Sequence, residues 1–172
     1  MSSPSAVRSV LFEPTRHDAS NFDCDNASLN NWIRHFADHA RRSRTANTYV
    51  FAELGRVVAY YALTPHSTQR EDVNPRVGRG SPVTIPTYLV AKFAVDRFRQ
   101  SQGVGAALLL DALARVLVAS DIAPGRLISV DAVDETAARF YERFGFVRSP
   151  SSSLTLHMKS STAIRIVGNE PT

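Results

Sequence analysis

Between Gln100 and Gly105 the chain reads Gln-Ser-Gln-Gly-Val-Gly. Gly103 and Gly105 carry no Cβ, so an anion can approach the backbone closely there. A run of apolar residues at helical spacing follows, and the first turn of that helix offers unsatisfied N–H groups and the positive end of its dipole. This is phosphate-binding chemistry, although Gly-x-Gly alone is more often the mark of an ordinary strand-to-helix turn. A second candidate is Tyr141, in the stretch Asp134–Phe146 (DETAARFYERFGF). Its phenol, with an ordinary pKa near ~10, holds a proton at neutral pH and can donate it. By spacing alone it is also a core aromatic, on one stripe with Ala137, Phe140 and Phe144. A metal role for His17, Asp23 and Cys24 lacks the spacing of a zinc site.

The elements that must position these groups can be read from periodicity. Leu89 to Val95 is an apolar run suited to a strand buried on both faces. Val104, Leu108, Ala112 and Val116, with Leu109, Leu113 and Leu117, make the helix that follows the glycines. Upstream, Val7–Glu13 is a strand after a frayed start. Asn26 or Ser28 caps a helix reaching Arg42, with a buried stripe of Leu29, Trp32, Ile33, Phe36 and Ala40 and an Arg34/Asp38 pair outside. Thr48–Leu54 and Val57–Leu63 form a hairpin about Gly55-Arg56. Residues 64–87, with Pro65, Pro75, Pro82 and Pro86, read as a long binding loop or lid with room for a short helix. Downstream, Leu127–Val130 is a short strand, Asp131 or Asp134 caps the last helix, and Gly145 ends it. Phe146–Arg148 and Leu154–Met158 close the sheet. One domain is expected over residues 1–160, and residues 161–172 are expected to be a loose tail, with Ala163–Val167 as an extra strand.

The 172 residues suffice for one buried core, and 44% hydrophobic with 21% charged residues is ordinary for a globular chain. Neither a spanning apolar run nor a signal-peptide core is present, and the single Cys24 agrees with a reducing, cytoplasmic setting. The net charge is +4, and of 20 basic residues only Lys92 and Lys159 are Lys. Arg pairs bidentately with phosphate, so the bias points to nucleic acid, or else to Arg-favouring codons. Arg34, Arg41, Arg42, Arg44, Arg76 and Arg79 are the candidate RNA contacts.

The Gln100–Gly105 loop and Tyr141 together resemble the GCN5-related N-acetyltransferase (GNAT) superfamily. The earlier motifs narrow the likeness: His17-Asp18, Phe22-Asp23-Cys24, Leu29-Asn30-x-Trp32, Thr48-Tyr49-Val50, Tyr60-Tyr61-x-Leu63, Ile85-Pro86, Ala94-Val95-Asp96 and Phe140 to Phe146. These are similar to the TacT-like toxins of bacterial type II toxin–antitoxin pairs over residues from about 10 to 158. Lys92-Phe93 stands where those toxins usually read Arg-Leu.

The resemblance implies an α/β (α+β) GNAT fold, a single mixed, mostly antiparallel sheet flanked by helices. Acetyl-CoA would lie along Phe93, Ala94 and Val95 of the central strand and on Arg99, Gln100, Ser101, Gly103, Val104, Gly105 and Ala106, with Asp134 and Phe140 beside it and no metal. Tyr141 would protonate the departing thiolate, and the acceptor would be the α-amino group of an aminoacyl-tRNA. No His or paired carboxylate adjoins these motifs, which suits an amine that needs no dedicated base. The implied partners are a ribbon-helix-helix antitoxin, operator DNA through that antitoxin, and a second copy of the chain, with no membrane. The alternatives are acetylation of a small amine or a protein N-terminus, and a non-catalytic CoA- or nucleic-acid-binding module.

Overall fold

The computed structural model describes residues 8–169. The expected frayed start and Val7 lie outside the described residues, as do positions 170–172. A seven-stranded sheet runs in the order β1-β2-β3-β4-β5-β7-β6. The strands are β1 (Val10–Leu11), β2 (Asn47–Glu53), β3 (Arg56–Gln69), β4 (Thr84–Val95), β5 (Leu127–Asp131), β6 (Val147–Arg148) and β7 (Thr155–Lys159). β4 and β5 are parallel, whereas β1/β2, β2/β3, β5/β7 and β6/β7 are antiparallel. The chain divides into two compact units, Met1–Thr64 with Lys92–Ala112, and Pro65–Ala91 with Leu113–Thr172.

In the first unit, α1 (Ala27–Asn31) starts where the Asn26 side chain accepts from Leu29 N–H. It runs into a π-helical turn, Trp32–Phe36, and then α2 (Ala37–Arg42). The bond from Ala37 N–H to Trp32 C=O spans five residues, and this wider turn resets the buried stripe. Leu29, Ile33, Ala37 and Ala40 face inward, while Phe36, expected inside, is 55% exposed. The core here gathers Phe12, Phe22, Leu29, Ile33, Val50, Val57, Tyr60 and Ala94. Tyr60 anchors the helix by donating its hydroxyl proton to Leu29 C=O at 2.6 Å. Asp38 pairs with Arg42 at 2.9 Å, not with Arg34 as the spacing suggested.

In the second unit the expected long loop is shortened by strand at both ends. β3 continues to Gln69 and β4 begins at Thr84, so only residues 70–83 leave the sheet, with α3 (Pro75–Gly78) inside that excursion. The remaining helices are α4 (Val104–Ile122), which runs through both units, α5 (Glu135–Arg143) and α6 (Ser160–Gly168). α6 stands where a loose tail with an extra strand was expected, and it buries Ala163 completely. Burial of that face outweighs the strand preference of Ile164, Ile166 and Val167. Gly145, at φ +101°, follows α5 and ends it as the sequence indicates.

One glycine is required by a close approach. A Cβ at Gly125 would sit 2.4 Å from the Tyr88 ring, whose hydroxyl donates to Ala123 C=O. Gly125→Ala must push this ring aside, so it is expected to cost about 1–3 kcal/mol, read as a lower denaturant midpoint with an unchanged slope.

Candidate active site

Asp96 organises the turn after β4. Its carboxylate accepts from Phe98 N–H at 3.0 Å and Asp23 N–H at 3.2 Å, and its own N–H reaches Val58 C=O at 2.9 Å. The Gln100 amide donates back to Val95 C=O at 3.0 Å, and the Gln102 amide to Phe98 C=O at 2.9 Å. The loop is thereby held by its own glutamines. Ser101 and Gly103 take positive φ, +61° and +81°, and nothing lies within 4 Å of where a Gly103 Cβ would be.

α4 then begins without the side-chain cap that closes α1, α3 and α5, a cap that α6 also lacks. α1, α3 and α5 are capped by the side chains of Asn26, Asn74 and Asp134. The residue before α4 is Gly103, which has no side chain to offer. The first bond back along the helix is Ala107 N–H to Gly103 C=O at 3.1 Å, so the N–H groups of Val104, Gly105 and Ala106 precede it. An exposed tip with three N–H groups and open space fits a diphosphate. Arg99, expected at the same anion, pairs with Glu53 on the surface. Phe93 and Val95 on β4 are half-buried and Ala94 is buried.

In the second unit, Tyr141 is 4% exposed, with Phe140 and Phe146 edge-on at 5.3 and 5.7 Å. Burial pushes its phenol well above the ordinary value and the Asp131 charge adds to this, so it keeps its proton across the physiological range. It suits a proton donor and not a base. Asp134 accepts from Ala137 N–H at 2.8 Å; it is the α5 cap, on an exposed residue.

The candidate RNA contacts separate by their partners. Arg34 donates to Ala19 C=O at 3.4 Å and to Phe22 C=O, and Arg41 donates to Phe12 C=O at 3.4 Å. Arg42 is held by Asp38. Arg79 is exposed, and its C=O accepts from Arg126. Arg44 and Arg76 are exposed, with no side-chain partner among the described residues. A cleft of about 730 Å³ in the first unit adds Arg16 and Arg56 to Arg34, with His17 and His35.

The sequence reading missed a polar cavity of about 370 Å³ in the second unit, walled by His66, Asp72, Ser129, Asp131 and His157 among others. Polar residues alternate along β5 (Ser129, Asp131) and β7 (Thr155, His157), a signal that carries meaning once the two strands are known to pair. Among the described residues no three His, Cys, Asp or Glu side chains are placed to share a metal ion, and no helix is long and apolar enough to cross a membrane.

The acetyltransferase (GNAT) domain family matches residues 44–148. A tRNA-acetylating toxin of Mycobacterium tuberculosis (strain ATCC 25618 / H37Rv) is 34% identical over 154 residues, 88% of this chain and 92% of its own length. Among solved structures, AtaT complexed with acetyl-methionyl-tRNAfMet superposes with a TM-score of 0.83 at 23% identity, over 94% of this chain and 98% of that one. A mutant AtaT toxin bound to the C-terminus of the antitoxin AtaR and acetyl-CoA gives 0.79 at 22% identity, over 94% and 97%. The chain belongs to the GNAT acetyltransferase family, among its TacT-like toxins.

Proposed function

We propose that the chain transfers the acetyl group of acetyl-CoA to the α-amino group of an aminoacyl-tRNA and so halts translation, in the cytoplasm, until a cognate antitoxin neutralises it. The observation that carries this reading is the likeness to a tRNA-acetylating toxin over 88% of the chain. The uncapped α4 tip supports it independently. In this reading the antitoxin is of the ribbon-helix-helix type and brings operator DNA, and the toxin works as a homodimer, all three following from the family.

Acetyl-CoA supplies an acyl group already activated as a thioester. The Val104–Ala106 N–H groups hold its diphosphate, and Gly103 admits the phosphate without a side chain. Backbone N–H groups of Phe93–Val95 hold the thioester carbonyl and the charge that builds on it. Tyr141 keeps a proton for the departing sulfur, whose acid has an ordinary pKa of about 8.5. Proton balance is neutral, because the amine loses one proton as the sulfur gains one. An α-amino group near ~7.8, lowered further by the adjacent ester, is substantially neutral at pH 7. A Lys side chain at about 10.4 is not, which favours the ester-linked amine over a protein lysine.

The decisive test is incubation with labelled acetyl-CoA and total charged tRNA. Label on the α-amino group of a tRNA-linked amino acid is expected; label only on small amines or protein N-termini would replace the reading. Tyr141→Phe is expected to keep acetyl-CoA affinity and lose about a hundredfold or more in single-turnover rate. An unchanged rate would remove Tyr141 as the acid. Arg44→Glu and Arg76→Glu are each expected to weaken tRNA binding and lower the salt slope by about one. Arg34→Gln should instead lower the melting temperature, because its guanidinium holds the 19–22 turn.

A further inference from the structure

The 370 Å³ cavity of the second unit is built by strand register. Leu89 pairs with Ser129 across β4/β5, and Ser129 pairs with His157 across β5/β7. Asp131 pairs with Thr155 one step along the same face. The lining holds Asp72, Asp131, His66 and His157 with a set of hydroxyls; Leu89 is its single apolar residue, and it has no Lys or Arg. Thr155 donates to one oxygen of Asp131 at 3.0 Å and Ser151 to one oxygen of Asp72 at 2.6 Å, which leaves a second oxygen of each carboxylate for a ligand.

His157 makes this more than an acidic cluster. It is 2% exposed, it lines the cavity, and its Nδ1 is buried without a hydrogen-bond partner. A buried polar atom left unpaired is a standing cost that a ligand donor can remove. Burial pushes the imidazole below its ordinary value against the pull of Asp131 and Asp72, so a neutral ring can accept. The same Asp131 charge acts on the Tyr141 phenol, which puts the cavity wall in electrostatic reach of the proposed acid.

We propose that this cavity receives the amino-acid end of the charged tRNA and selects side chains that carry hydrogen-bond donors, cationic ones first, over aliphatic and aromatic ones. The proposal rests on the aminoacyl-tRNA reading above. Two carboxylates and a ring of hydroxyls favour a donor-bearing side chain, and an apolar one would strand these groups without partners. A site built to pair with donors rejects the analogue lacking them far more strongly than a greasy pocket rejects an extra group.

The test uses the full chain, acetyl-CoA and one tRNA body charged in turn with lysine, serine, leucine and phenylalanine, reading N-α-acetylation. Lysyl- and seryl-tRNA are expected to exceed leucyl- and phenylalanyl-tRNA in kcat/KM by about tenfold or more. Asp72→Asn, which keeps the shape, is expected to narrow the lysyl-to-leucyl ratio by at least about threefold, a ratio that loss of folded protein does not change. Equal use of all four, or an unchanged ratio in the variant, overturns the pocket while leaving the function standing. Acetylation of none overturns both.

Discussion

An α-helix cannot satisfy its own first N–H groups, and what a protein does with them is a choice. Here Asn26, Asn74 and Asp134 close three helices with side-chain oxygens, while α4, at 19 residues the longest, starts behind a glycine. The surrounding chain works to keep that tip exposed and fixed. Gln100 and Gln102 fold back onto carbonyls of β4 and of the turn after it, and Asp96 ties the turn to residue 23. The glutamines hold the loop's shape, and in the proposed reading recognition is left to the backbone. In that reading Lys92-Phe93, where the toxins it resembles usually read Arg-Leu, leaves the cofactor contact intact, because a contact made by N–H groups is indifferent to the side chain that carries them.

Tyr141 shows how burial sets chemistry. Phe140 and Phe146 pack against its ring, and the resulting desolvation holds the phenol neutral. A raised pKa keeps the phenol in its neutral, proton-bearing form and at the same time weakens it as an acid. The same burial acts in the opposite direction on His157, where the charged form is the cation. Both groups thus stay neutral, one as a donor and one as an acceptor, with Asp131 in the field of each.

Much of this was legible in the chain. The β4–loop–α4 unit, the Asn26 and Asp134 caps and the Gly145 stop each follow from local rules that tertiary packing reinforced. The misses have physical causes. Pro65 and Pro86 suggested a loop, yet β3 and β4 run through them, because proline's fixed φ is compatible with extended backbone. Phe36 turned outward because one π turn changes the helical phase, which a regular 3.6-residue period cannot foresee. The His66, Asp72, Asp131 and His157 cluster spans four separate segments, β3, the 70–83 excursion, β5 and β7, so only the tertiary fold could assemble it.

The arginine bias also divides once partners are known. Arg34 and Arg41 serve as hydrogen-bond staples for backbone carbonyls; Arg97, Arg99 and Arg148 answer Asp23, Glu53 and the Glu135/Glu142 pair. A guanidinium already fixed in this way gains little from a phosphate, since it must first give up a contact of similar kind. In the proposed reading, attraction for RNA rests on the few cations left uncommitted, such as Arg44 and Arg76. A net charge of +4 is enough for that role because a polyanion is drawn by the cations it can reach, not by the total.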